Sequence, residues 1–183
     1  MTATLVDPAG HPGALAPEPV GGDAPPRPRL TPGELVVLAR GLARNAALWP
    51  ELARPAERTW ARMASSEDFD AWLVAWPTGG ALEWHDHGEA AGALVVVQGE
   101  LVETTLRSAA DGTVELAVET VGAGAASAFE AHRVHDVVNL GTEAALSVHV
   151  YAPPLTAMTF YEIDGGTLRA GRTVRYEPGE AAP

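Results

Sequence analysis

The feature that most restricts how this chain can fold is a series of short, valine-rich segments separated by glycine-containing turns. The segments cover residues 71–76, 93–97, 100–106, 114–121, 134–138 and 145–151, with a final one expected at 167–176. Short apolar segments at this spacing are typical of strands in an all-β sandwich or barrel. The pair Asp111-Gly112, between the third and fourth segments, is a strong signal for a hairpin turn. The sequence therefore predicts an all-β fold.

A helix is predicted ahead of these strands. Thr31 is a suitable N-cap, Pro32 is favoured at the first helical position, and Glu34 stands where a capping box places an acidic side chain. Apolar residues then recur at helical spacing at Leu35, Leu38, Leu42 and Ala46. We expect this helix to end near residue 50 and a second, shorter helical piece to cover 51–63.

The chain divides into one predicted domain and two tails. Residues 1–29 hold seven prolines and no aromatic side chain, so this segment cannot bury enough apolar surface to offset the entropy of ordering. We expect 1–29 to be a disordered Pro-rich tail, 30–176 to be a single domain that carries the helices and strands, and 177–183 to be a C-terminal tail.

Charge and composition exclude several classes of protein. Lys and Arg number 12 against 24 Asp and Glu, which gives a net charge of −12, so a nucleic acid backbone would be repelled. The chain has no cysteine, which excludes disulfides, zinc ribbons and thiol nucleophiles. No apolar run approaches the roughly 18 residues of a membrane span, and no secretory signal is visible. We expect a cytoplasmic monomer without nucleic acid or membrane partners.

The histidines indicate a metal site. Five of the six lie between residues 85 and 149. His85 and His87 are separated by one residue, so on a strand both imidazoles would share a face, and imidazole is the commonest transition-metal ligand in proteins. A third ligand would come from a distant strand. His135 is the candidate, and His132 is its one rival, although an odd offset from His135 would put His132 on the opposite face of a strand.

Two stretches resemble the two motifs of the cupin family. The residues that match are Gly79, His85-Asp86-His87 and Gly99 in the first motif, and Gly124 and 135–139 in the second. The resemblance implies a small β-barrel or jelly roll, preceded here by one or two N-terminal helices. It also implies a metal held by His85, His87 and His135.

One departure from the cupin pattern changes the charge of this site. Cupins usually carry a glutamate ligand four or five positions after the second histidine, where this chain has Ala91 and Gly92. A set of three neutral imidazoles leaves the full charge of a divalent metal uncompensated. Such a site favours an anionic ligand from solution, and a thiolate suits iron.

A further stretch is similar to cysteine dioxygenase, a thiol dioxygenase within the cupins. Residues 145–155 resemble that family's S-L-H-x-Y-S-P-P block, with Ser147, His149 and Tyr151 in alternation on one strand face. In the family these three side chains form a hydrogen-bonded relay whose tyrosine hydroxyl reaches the iron site. The family often has a cis peptide in this block, which here would be Ala152-Pro153.

Two other positions extend this resemblance and modify it. Trp60-Ala61-Arg62 resembles the family's Y-x-R, whose arginine binds the substrate carboxylate, with Trp60 replacing the usual tyrosine. Related 3-mercaptopropionate dioxygenases have glutamine at the arginine position, so Arg62 favours cysteine. Gly92 stands where mammalian members have a cysteine that is cross-linked to the active-site tyrosine. Tyr151 must therefore be free of such a cross-link.

The resemblance implies a non-haem iron enzyme that uses Fe(2+) to add both atoms of O2 to L-cysteine, giving cysteine sulfinate. His85, His87 and His135 would hold the iron. Arg62 and Trp60 would contact the substrate, and Tyr151 would act beside the iron and the substrate. Three alternatives stay open: a dioxygenase of 3-mercaptopropionate or cysteamine, a metal-binding cupin without catalysis, and a zinc hydrolase.

Overall fold

The computed structural model of this chain describes residues 29–45, 56–108, 114–164 and 167–176. One helix comes first, α1 (Pro32–Ala43). Eleven strands follow in the described residues: β1 (Thr59–Ser65), β2 (Asp70–Trp76), β3 (Ala81–Asp86), β4 (Ala91–Gln98), β5 (Glu100–Ser108), β6 (Val114–Gly122), β7 (Ala126–Phe129), β8 (His135–Val138), β9 (Ala145–Ala152), β10 (Ala157–Asp164) and β11 (Thr167–Arg175). The prediction of an all-β fold preceded by a helix is confirmed.

The strands form two antiparallel sheets that pack face to face. The first sheet has the order β1-β2-β9-β4-β7, and the second has the order β11-β10-β3-β8-β5-β6. Neighbours such as β2 and β9, or β3 and β8, are far apart in the sequence, so the chain crosses repeatedly between the sheets. This exchange brings β3 and β8, which carry the histidines of interest, next to each other.

The interior between the two sheets is an apolar core with aromatic side chains. The first sheet contributes Trp72, Trp76 and Leu94 among others, and the second contributes Leu101 and Phe160. All five side chains are at most 7% exposed. Burying large aromatic and aliphatic groups is the main favourable term in folding such a domain.

Helix α1 covers the outer face of the first sheet. Leu35 and Ala39 of the helix are fully buried against a second apolar cluster, which includes Leu73, Val95 and Val148. Strands β2, β4 and β9 are thus buried on both faces, which is why they read as continuous apolar runs. The helix begins with the expected capping box, in which the Glu34 amide donates to Thr31 Oγ1 and the Glu34 carboxylate accepts from the Thr31 amide.

The prediction of a second helical piece over 51–63 is wrong for the part of it that the structure describes. Thr59–Ser65 forms β1, with Trp60 opposite Val74 and Arg62 opposite Trp72 on β2. Pairing with a neighbouring strand outweighs a weak local preference for helix. Helix α1 also ends earlier than expected, at Ala43.

Other sequence predictions fall partly or wholly outside the described residues. These are the tails at 1–28 and 177–183, the second helical piece over 51–55, and the Asp111-Gly112 turn. The strands on either side of that turn, β5 and β6, do pair antiparallel as a hairpin requires. Within the described part of the chain no helix is long and apolar enough to cross a membrane.

Candidate metal centre

Three buried histidines converge inside the barrel. His85 lies near the end of β3, His87 directly follows that strand, and His135 begins β8. Each of the three is at most 3% exposed. One ring nitrogen from each side chain can be chosen so that all three lie within 4.8 Å of one another. In the described residues this is the only such cluster of His, Cys, Asp or Glu side chains, and it is the set that the sequence predicted.

The hydrogen bonds of two rings fix which nitrogen faces the centre. His85 Nδ1 lies 2.7 Å from the Glu83 carbonyl oxygen, and His135 Nδ1 lies 2.6 Å from Glu103 Oε1. Because a carbonyl or carboxylate oxygen accepts, each Nδ1 donates, and Nε2 is the nitrogen left to face the centre. His135 Nε2 is buried and has no hydrogen-bond partner in the structure.

The ring nitrogens of His85 and His87 are close enough to bind one divalent transition metal. His85 Nε2 and His87 Nε2 are 3.2 Å apart. Nitrogens bound at about 2.1 Å and separated by about 90° at the metal would lie about 3 Å apart. Burial lowers the pKa of His85 and His87 well below the ordinary value, with the neighbouring histidines adding to the effect. Both rings are therefore neutral at physiological pH, as a metal ligand must be.

A hydrogen-bonded chain of four side chains runs beside this centre. Trp76 Nε1 donates to Ser147 Oγ over 2.9 Å, Ser147 Oγ lies 2.9 Å from His149 Nε2, and His149 Nδ1 lies 3.3 Å from Tyr151 Oη. The Tyr151 and His87 rings are 4.8 Å apart between centroids. The structure thus brings Ser147, His149 and Tyr151 together in the predicted order, and it adds Trp76.

Burial sets the protonation states of this chain. Burial lowers the pKa of His149 to about 3 and raises the pKa of Tyr151, so the imidazole and the phenol are both neutral. A neutral imidazole donates from one ring nitrogen and accepts at the other, so His149 donates to one of the two hydroxyls, Ser147 or Tyr151, and accepts from the other.

Phe129 is a site residue that the sequence did not reveal. Its ring stacks on His87 at 4.8 Å and 17°, and it lies 5.0 Å from the His135 ring. It also explains Gly92, because a Cβ at that position would overlap the Phe129 ring and lie 3.1 Å from Tyr151 Cδ1.

Two arginines, not one, lie on the inner side of β1. Arg62 is opposite Trp72, and its guanidinium carbon lies 5.0 Å from the centroid of that ring. Arg58, just before β1, has its guanidinium carbon 5.3 Å from the Trp60 ring centroid and 5.5 Å from that of Trp76. Trp60 packs against the inner core, as a pocket residue would.

Arg58 acts electrostatically on the centre. Its charge lowers the pKa of His85, His149 and Tyr151, although burial has the larger effect on each. Burial in turn lowers the pKa of Arg58 itself. Its Nη1 is buried without a hydrogen-bond partner in the structure. The sequence pattern pointed to Arg62 and gave no signal for Arg58.

The remaining polar candidates lie outside the centre, as expected. His132 is in the turn before β8, its side chain is 61% exposed, and its Nε2 lies 3.3 Å from Glu89 Oε1. Asp86 points away from the metal ligands, where it accepts from the Tyr161 hydroxyl over 2.6 Å and from the Gly88 amide. These contacts hold the end of β3 and the turn after it.

Fold and site together define a metal-dependent enzyme of the cupin class. The family model described as cysteine dioxygenase type I matches residues 33–163, and the chain therefore belongs to that family. Membership makes the protein an oxidoreductase of the dioxygenase type and implies a metal cofactor, a thiol substrate and O2.

Solved structures of low identity are similar to this chain over part of its length. A conserved protein with a double-stranded β-helix domain from Klebsiella pneumoniae is 22% identical, with 57% of this chain and 80% of that chain covered and a TM-score of 0.47. A cupin superfamily protein from Desulfitobacterium hafniense is 14% identical, with 55% and 81% covered and a TM-score of 0.45. A recombinant oxalate oxidase in complex with glycolate is 21% identical, with 60% and 57% covered and a TM-score of 0.48.

Proposed function

We propose that this protein is a non-haem Fe(II) thiol dioxygenase that converts L-cysteine and O2 to cysteine sulfinate. The observation that carries the proposal is the relay from Ser147 through His149 to Tyr151, which ends beside His87 in a chain of the cysteine dioxygenase type I family. A buried chain of hydrogen-bonding side chains that ends at a phenol beside a metal ligand favours catalysis over binding alone.

The residues that would hold Fe(II) are His85, His87 and His135, each through Nε2. When bound there, iron would supply the redox chemistry with O2 and would keep the substrate sulfur in its thiolate form. Three neutral ligands on the protein side leave the charge of the metal to be balanced by an anionic substrate.

Tyr151 would hold a proton at Oη next to the substrate. Burial raises the pKa of this phenol, so the hydroxyl remains a donor at neutral pH. With the His149 proton on Nδ1, His149 would donate to Tyr151 Oη, and the phenol proton would then be available for a hydrogen bond to a substrate carboxylate or to a developing negative charge. Trp76 and Ser147 would fix the orientation of His149 through their own hydrogen bonds.

An arginine before or within β1 would bind the substrate carboxylate. Arg62 is the residue that the family pattern implies. Arg58 is favoured by its contacts, because a buried guanidinium nitrogen without a partner gains a charge-assisted hydrogen bond when a carboxylate arrives. The Arg58 guanidinium lies over the rings of Trp60 and Trp76, and these contacts would hold its plane in place.

The test is oxygen consumption by purified, iron-loaded protein supplied with L-cysteine, with sulfinate measured by mass spectrometry. We expect one O2 consumed for each sulfinate formed. 3-Mercaptopropionate, which lacks the amine, and cysteamine, which lacks the carboxylate, are supplied in parallel. A preference for either would reassign the substrate within the thiol dioxygenases. No uptake with any of the three, with iron verified in the site, would contradict the proposal and favour a binding cupin or a hydrolase.

A further inference from the structure

The three metal-binding histidines differ in what holds the nitrogen that faces away from the centre. His85 Nδ1 donates to a backbone carbonyl, His135 Nδ1 donates to the carboxylate of Glu103, and His87 Nδ1 is buried without a hydrogen-bond partner in the structure. A charged group therefore contacts His135 alone. The distance of 2.6 Å from Nδ1 to Oε1 is short for a nitrogen–oxygen hydrogen bond.

The fold fixes this carboxylate beside His135. Glu103 lies on β5, which pairs with β8 so that Glu103 is opposite Val137 and Thr105 is opposite His135. The Glu103 side chain is only 3% exposed. A donor on the neighbouring strand β8, His135 Nδ1, thus meets a buried carboxylate on β5.

No other buried acidic side chain of the described residues contacts a metal ligand. Asp86 accepts from Tyr161, and Asp70 accepts from Ser65. The positions at which the cupin pattern places a carboxylate ligand are Ala91 and Gly92, and the Phe129 ring leaves no space for a side chain at Gly92. Among the buried acidic side chains of the described residues, Glu103 is thus the one that contacts a metal ligand, through His135.

We propose that Glu103 is a positioning residue that acts on the metal through His135. It would keep the His135 proton on Nδ1, hold the ring so that Nε2 faces the centre, and make His135 the strongest electron donor of the three ligands. Through His135, the Glu103 carboxylate would supply part of the negative charge that a glutamate ligand supplies in other cupins and that this chain lacks. The inference rests on the metal centre of the proposed function and not on its thiol substrate.

The experiment measures metal binding without substrate. Metal-free protein is titrated with Co(II) against a competing chelator, and the visible bands of the cobalt complex are recorded. Glu103→Gln removes the charge but keeps an oxygen that can accept from Nδ1, and Glu103→Ala removes both. Glu119→Gln is the matched control, since Glu119 is paired directly with Glu103 across β5 and β6 and lines the same cavity of about 370 Å³, yet is exposed.

We expect Glu103→Gln to weaken Co(II) binding roughly ten- to hundredfold and to shift the cobalt bands, with a larger loss in Glu103→Ala. Glu119→Gln should match wild type in affinity and in spectrum. Equal affinity and an unchanged spectrum in Glu103→Gln would overturn the inference. An equal loss in Glu119→Gln would overturn it too, because a general effect of charge would then explain the result.

A second measurement needs no variant and remains decisive if Glu103→Gln does not fold. In Zn(II)-loaded wild-type protein, nitrogen–proton NMR should show the His135 Nδ1 proton far downfield and protected from solvent exchange, unlike an exposed imidazole proton. An ordinary, rapidly exchanging signal would overturn the inference. Failure of thiol oxidation in wild-type protein would leave both metal-binding results intact, so the two proposals fail separately.

Discussion

Trp76 and Ser147 are joined by a buried hydrogen bond of 2.9 Å from the indole Nε1 to the hydroxyl oxygen, although 71 positions separate them in the sequence. Trp76 ends β2, and Ser147 lies on the neighbouring strand β9, opposite Val74. An indole can only donate, so the Ser147 hydroxyl oxygen accepts from it and is held in place beside His149. A tryptophan remote from the metal therefore positions the relay that ends at Tyr151.

Replacing Trp76 with phenylalanine should lower turnover without loss of metal. The change removes one buried donor, worth about 1 kcal/mol, and frees the Ser147 hydroxyl to rotate. We expect kcat to fall roughly five- to tenfold and metal affinity to stay within twofold of wild type. Trp84→Phe is the matched control, because Trp84 is half-buried on β3 and takes no part in the relay. Stopped assays of sulfinate formation and metal analysis of each variant provide the comparison.

Two results would contradict this account of the relay. A Trp76→Phe enzyme with unchanged kcat would show that the hydrogen bond to Ser147 does not act on Tyr151. An equal fall in Trp84→Phe would indicate a general loss of packing.

Much of the fold was predictable because strands that are buried on both faces consist of consecutive apolar residues. Strands β2, β4 and β9 are buried on both faces, and their apolar runs were recognised. The strands that escaped prediction, β1, β3, β7 and β10, carry polar or small residues on at least one face. Their pairing with distant strands, and not their composition, makes them strands.

The residues of the candidate site also fall into two groups, those that the sequence revealed and those that it did not. His85 and His87 are two positions apart, and Ser147, His149 and Tyr151 alternate on one strand, so spacing alone shows that they share a face. Glu103, Phe129 and Arg58 join the site only through strand pairing and packing. The register between distant strands is not readable from one sequence, and these three were missed for that reason.

Gly92 should not tolerate a side chain. In Gly92→Ala the added Cβ would overlap the Phe129 ring and press on Tyr151, and displacement of Phe129 would disturb the His87 ring stacked on it. Overpacking of this kind costs about 1 to 3 kcal/mol. We expect a lower urea midpoint and weaker metal binding. Gly122→Ala is the control, because a Cβ there meets nothing within 4 Å, and a stability loss equal to that of Gly92→Ala would refute the steric explanation.

Arg58→Ala and Arg62→Ala should separate the two candidates for the carboxylate site. If Arg58 binds the carboxylate, Arg58→Ala raises KM for L-cysteine and 3-mercaptopropionate about ten- to hundredfold, since a charged hydrogen bond is worth about 1.5 to 3 kcal/mol. KM for cysteamine, which has no carboxylate, should barely change. The same pattern in Arg62→Ala and not in Arg58→Ala would assign the role to the family-pattern residue instead.

The stability of the metal-free protein should depend on pH through His149. The pKa of this buried imidazole is about 3 in the folded state and near 6.5 when exposed, so the unfolded state binds more protons between those values. Stability is therefore fully present above about pH 6.5 and is lost as the pH falls towards 3. Within that window each pH unit costs up to about 1.4 kcal/mol.

His149→Gln isolates this contribution, because glutamine can occupy a similar volume and does not titrate. We expect urea unfolding at a series of pH values between 3 and 8 to give a shallower pH dependence for His149→Gln than for wild type, both without metal. Parallel curves would mean that folding does not lower the pKa of His149, which would contradict the effect of burial described here.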